Sequence, residues 1–91
     1  MLNLSEIGKK MSELKNWSLN GEAIIKDFSF SNFKDAIEFV NKVSELAENK
    51  KHYPGIIVNK NLVRLKLSPV EFKEGLTYDD FNFGKEIDLI K

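Results

Sequence analysis

The sequence has no cysteine, a single histidine, two prolines and no surplus of charge, with 14 basic and 14 acidic side chains among 91 residues. Lack of cysteine excludes a disulfide framework, a thiolate nucleophile and a cysteine-rich metal site. One histidine excludes a multi-histidine metal centre. A formal net charge of zero argues against a dominant phosphate-binding surface and so against nucleic acid as a partner. Apolar runs are only a few residues long, so nothing reads as a membrane span, and no signal-peptide pattern opens the chain. A chain of this length buries only about 60–65% of the surface its unfolded form exposes. Its core is expected to be adequate but thin, which oligomerisation would help. The expectation is a single soluble, cytoplasmic domain over residues 1–91.

What is present is well punctuated. Asn20-Gly21 is a hairpin signal, because both residues tolerate positive φ. Pro54-Gly55 and Asn59-Lys60-Asn61 mark turns, and Ser68-Pro69 closes a strand. Residues 4–15 place Leu4, Ile7, Met11 and Leu14 at helical spacing. Asn3 with Glu6 makes a capping-box pattern, and Leu2 with Ile7 has staple spacing. Residues 17–19 and 22–30 read as a hairpin, with Ile24, Lys26, Phe28 and Phe30 on one face of the second strand.

Residues 32–49 form the strongest helix, capped by Ser31 or Asn32. Its stripe of Phe33, Ala36, Ile37, Val40, Val43 and Ala47 is widened by Phe39 and Leu46, which suggests burial against both a sheet and a partner subunit. Residues 56–59 and 61–67 read as strands. A last helix starts near Tyr78, with Thr77 and Asp80 as its capping box, Leu76 and Phe81 at staple spacing, and Phe83, Ile87 and Ile90 on its apolar face. The order α-β-β-α-β-β-α with hairpin turns favours an α+β fold, a four-stranded antiparallel sheet with helices on one face.

Chemistry concentrates in Glu48-Asn49-Lys50-Lys51-His52-Tyr53-Pro54, where a long helix ends in a turn. His52 is the one side chain whose ordinary pKa, about 6.5, suits proton transfer near neutrality. Glu48 lies four residues earlier and, on a continuing helix, would sit one turn back on the same side to orient the imidazole. Tyr53 adds a hydroxyl and a stacking face. A lone histidine at a helix C-terminus also stabilises the helix dipole without any function, and from these seven residues alone that is the commoner reading. Trp17 beside a hairpin is more often a core anchor than a ligand-stacking wall. Asp80 reads as a helix cap rather than a catalytic acid.

Glu48, His52, Tyr53 and Pro54, as Glu-x-x-x-His-Tyr-Pro, resemble the signature of the pterin-4a-carbinolamine dehydratases. The likeness extends along nearly the whole chain. Trp17 with Asn20-Gly21, the strand ending in Phe28 and Phe30, the helix from Phe33 to Glu48, then Asn61, Val63 and Leu67, and finally Gly75-Leu76-Thr77 with Asp80 all fall in the family's order. The resemblance implies three helices packed on a four-stranded antiparallel sheet and a homodimer or homotetramer. It implies dehydration of a 4a-hydroxytetrahydropterin to the quinonoid dihydropterin, with no metal or organic cofactor. His52, Tyr53 and Glu48 would be the catalytic residues. Trp17, Pro54, Ser68, Pro69 and Val70 would bind the substrate, with Val70 at the position of the family's third active-site histidine. The alternative implied by Val70 is a dehydratase-like scaffold working through protein association or pterin-type ligand binding. Lys60, Arg64 and Lys66 put some positive charge on the sheet, too little for a nucleic-acid module to rank above third.

Overall fold

A computed structural model describes residues 2–68 and 75–91. The elements follow the predicted order: α1 (Leu4–Ser12), β1 (Ser18–Asn20), β2 (Ala23–Ser29), α2 (Phe33–Lys50), β3 (Gly55–Asn59), β4 (Leu62–Leu67) and α3 (Tyr78–Ile90). All strand pairs are antiparallel, in the order β1-β2-β4-β3. Alternation sorts the sheet into two faces. Ile24, Phe28, Val63, Leu65 and Leu67 turn inward and are buried, whereas Asp27, Arg64, Lys66 and Ile57 are exposed on the other face. The helices therefore pack on one side only, an α+β architecture.

Local chemistry explains where each element begins and ends. Asn3 and Glu6 close a reciprocal capping box at the start of α1. This helix stops three residues short of the predicted end. Glu13 and Leu14 donate to carbonyls only three residues back, at 3.1 Å each, and Asn16 then takes a positive φ of 65°. Tight last-turn bonds of this kind finish a helix. Leu4, predicted on the apolar stripe, is 85% exposed, while Leu14 is buried beyond the helix end.

The hairpin loop is Gly21-Glu22, one residue later than expected, because Asn20 pairs with Ala23. Gly21 takes the positive φ (63°) and Glu22 does not, the pattern of a type II′ turn. In α2, Asn32 is the cap, its Oδ1 accepting from the Asp35 N–H at 2.8 Å. The buried line is Ala36, Phe39, Val43 and Ala47, with Ile37, Val40 and Leu46 half-buried beside it. Phe33 is 56% exposed. Phe39 stacks on both Phe28 and Phe30, which fixes α2 across β2.

Asn61 holds the other end of the sheet. Its carbonyl accepts from the Phe30 N–H and its side-chain amide donates to the Phe30 carbonyl, each at 2.9 Å. Among the described residues no helix is long and apolar enough to cross a membrane.

Candidate active site

The end of α2 delivers His52. Lys51 takes the left-handed conformation (φ 54°, ψ 40°). The His52 N–H then donates to the Ala47 carbonyl and the Lys51 N–H to the Glu48 carbonyl, at 3.1 and 3.3 Å. This is a Schellman-type ending, in which a left-handed residue reverses the chain and satisfies the last carbonyls. The reversal also takes His52 off the helical face that Glu48 occupies. Glu48 is exposed, whereas His52 is only 5% exposed.

Inside, the imidazole meets three residues, two of them on α3. Its ring lies 5.1 Å from Phe83 of α3, tilted by 58°. Its Nε2 is 3.3 Å from the Ser68 carbonyl oxygen, just after β4, and 3.0 Å from Asp80 Oδ1 at the start of α3. Oδ1 makes no hydrogen bond, so the Asp80 contact lies beside the Nε2–H axis and is an ion pair only when the ring is protonated; Ser68 is the acceptor nearer that axis. A backbone carbonyl can only accept, so the bond to Ser68 places a hydrogen on Nε2.

Asp80 is fully buried. Its second oxygen, Oδ2, accepts from the Thr77 N–H at 3.0 Å and lies 3.4 Å from the Thr77 hydroxyl. The predicted cap is thus present, with the Thr77 hydroxyl turned toward the carboxylate. Burial pushes the Asp80 carboxyl above the usual aspartate value; the Thr77 hydrogen bonds and the nearby His52 oppose that rise. Buried acids at clefts with a specific charge partner are frequent functional groups. Farther along the same helices, Lys50 of α2 pairs with Glu86 of α3 at 2.7 Å and fastens the two across Phe83.

The sequence-predicted residues divide accordingly. His52 and Ser68 come together, with Asp80 joining them. Tyr53 is 62% exposed and Pro54 half-buried at the outer edge of the same turn. Trp17 is buried elsewhere on α3: its ring lies against Gly84 and edge-on to Phe28, and its Nε1 donates to Asp88 Oδ2 at 3.1 Å. Asp88 is eight residues beyond Asp80, about 12 Å along a helix. Pro69 and Val70 lie outside the described residues. No three histidine or acidic side chains converge in metal-binding geometry among the described residues.

Sequence reasoning missed the pairing of Asp80 with His52 and the contact from Phe83. A signal existed: Asp80, Phe83 and Ile87 share one helical stripe, and a carboxylate on a core-facing stripe needs a partner.

Comparison with known proteins places this geometry. The family model for pterin 4 alpha carbinolamine dehydratase matches residues 1–90. A protein from Sulfolobus acidocaldarius is 34% identical over 90 residues, covering 99% of this chain and 98% of its own. One from Chloroflexus aurantiacus is 38% identical over 89 residues, covering 98% and 95%. Both carry provisional pterin-4-alpha-carbinolamine dehydratase names. A crystal structure of a transcriptional coactivator/pterin dehydratase from Brucella melitensis superposes with a TM-score of 0.89 at 27% identity, over 98% of this chain and 96% of that one. A pterin dehydratase-like protein identified as a RuBisCO assembly factor in the alpha-carboxysome has a TM-score of 0.73 at 19% identity, over 84% and 89% of the chains, a likeness of fold.

Proposed function

Because the chain belongs to the pterin 4 alpha carbinolamine dehydratase family, we propose that it removes water from a 4a-hydroxytetrahydropterin to give the quinonoid dihydropterin. The C4a–O bond breaks and the hydroxyl leaves with one added proton as water. The N5–H bond loses its proton, and its electron pair forms the new double bond to C4a. Both transfers are general acid–base steps.

The observation that carries this reading is the buried His52 imidazole with Nε2 held between the Ser68 carbonyl and Asp80 Oδ1. His52 is the principal proton-transfer group. Asp80 positions it. Tyr53, exposed after the turn, and Glu48, exposed on the last turn of α2, supply a secondary hydroxyl and a carboxylate at the rim. Pro54 and Ser68, together with Pro69 and Val70, bind the pterin. The test is dehydration of synthetic 4a-hydroxytetrahydropterin by wild type and His52→Ala. A loss of about 10²–10⁴-fold is expected for a well-placed acid–base group; equal rates would sink the reading.

A second reading is association. Ile56 and Ile57 are 36% and 62% exposed on β3, an edge strand, and the pterin dehydratase-like RuBisCO assembly factor shares this fold. A homodimer or homotetramer would cover such a surface. In this reading partner binding survives His52→Ala.

A further inference from the structure

We propose that the uncovered half of the β2 edge is a docking groove for an extended acidic peptide. The site lies apart from His52 and goes beyond the dehydratase reading. β1 is only three residues long and pairs with Ala23, Ile24 and Ile25, whereas β2 continues to Ser29. From Lys26 onward, β2 has a neighbour on the β4 side alone among the described residues. The Phe30 N–H donates to the Asn61 carbonyl on that side. In an antiparallel ladder successive residues alternate in the neighbour they face. Lys26 and Phe28 therefore face β4, and Asp27 and Ser29 face the open edge.

The Ser29 carbonyl accepts from Lys91 Nζ at 3.1 Å. The Ser29 N–H and both backbone groups of Asp27 have no partner among the described residues. This edge forms one wall of an open cleft of about 640 Å³, flanked by Leu14 and Lys15 after α1, by Lys85 and Leu89 on α3 and by Lys91 just beyond it.

Charge selects the occupant. Four lysines line the cleft against three carboxylates, and each carboxylate already has a cation. Glu13 lies 3.3 Å from Lys10 and 3.9 Å from Lys85, Asp27 accepts from Nε and Nη2 of Arg64, and Asp88 binds Lys26 at 2.8 Å, which leaves Lys15 and Lys91 as the lining cations with no carboxylate partner among the described residues. Lys10 and Arg64 add to the excess from outside. A second copy would bring the same lysine-rich edge against this one, like charge against like. An acidic segment instead meets complementary charge. It would add a strand through Asp27 and Ser29 and place alternate apolar side chains over Phe28 and Leu89, which is 85% exposed.

The probe is a capped octapeptide of alternating glutamate and valine, added to the full-length ¹⁵N-labelled chain. Amide exchange at Asp27 and Ser29 should slow at least tenfold, while Lys26 and Phe28, already paired to β4, stay unchanged. The same peptide N-methylated at every second amide, and a lysine–valine peptide, should each bind at least tenfold more weakly. Replacing Lys15, Lys85 and Lys91 together by glutamate should weaken binding at least tenfold and leave the dehydration rate untouched. No slowing at Asp27 and Ser29 overturns the proposal, as does equal binding of the N-methylated or lysine peptide. So does protection of those amides that grows with protein concentration in the absence of peptide, since a second copy would then occupy the edge. The peptide comparisons decide the matter even if the triple variant fails to fold.

Discussion

One carboxylate oxygen of Asp80 closes the start of α3 through the Thr77 N–H, and the other lies 3.0 Å from Nε2 of His52. A single side chain therefore both begins a helix and holds the imidazole delivered by another. The two duties separate on substitution, since an amide keeps the capping oxygen and loses the charge.

Asp80→Asn is expected to slow dehydration and to stabilise the fold at neutral pH. The sign follows from burial. With its native carboxyl raised above the unfolded value, Asp80 contributes least to stability when ionised at neutral pH. The term improves as pH falls through the raised native value, because the folded state takes up the proton first. Relief of that burial cost would raise Tm. Thermal melts at pH 7 and pH 4.5 check it: the advantage of the variant is largest at pH 7 and shrinks in acid. Glu48→Gln, on an exposed side chain, should cost less activity than Asp80→Asn.

The His52 tautomer is a second checkable outcome. The Ser68 carbonyl beside Nε2, which can only accept, favours a neutral ring with its hydrogen there. Long-range ¹H–¹⁵N correlation spectra should show a protonated Nε2 and a bare Nδ1 above the titration. A neutral ring protonated on Nδ1 would place the shared proton on Asp80 and reverse the assigned roles.

Lys51→Gly should be stabilising by about 1 kcal/mol, since a non-glycine residue in the left-handed region carries roughly that strain. Lys51 sits there at φ 54° as the residue that turns the chain into His52. Urea unfolding measures the gain. The dehydration rate should hold, because the turn itself is kept.

Much of the fold was legible because local signals and periodicity agreed. Asn3, Asn32 and Thr77 stand at the helix starts they predict, and the strands fall within a residue or two of their turn signals. The misplacements have local causes. Leu4 shares the spacing of Ile7 and Met11 but projects from the first turn of α1, where it is exposed. Spacing finds a stripe, not its buried length. The left-handed Lys51 was invisible to helical projection, which is why Glu48 looked like the orienter of His52. The actual partner arrives from α3, and no local pattern encodes a contact of that range. Trp17 illustrates the same gap: its type announces an anchor, while its hydrogen bond to Asp88 depends on how α3 crosses β2.

Asp80 is the third residue of α3, so the histidine is gripped by the least firmly held turn of that helix. Helix ends fray at far lower free energy than whole domains unfold. Each time that first turn opens, Thr77 and His52 lose the same carboxylate together. The fraction of molecules ready to transfer a proton is then set by a helix–coil equilibrium over a few residues, and hydrogen exchange at Asp80 and its neighbours in α3 would report that readiness directly.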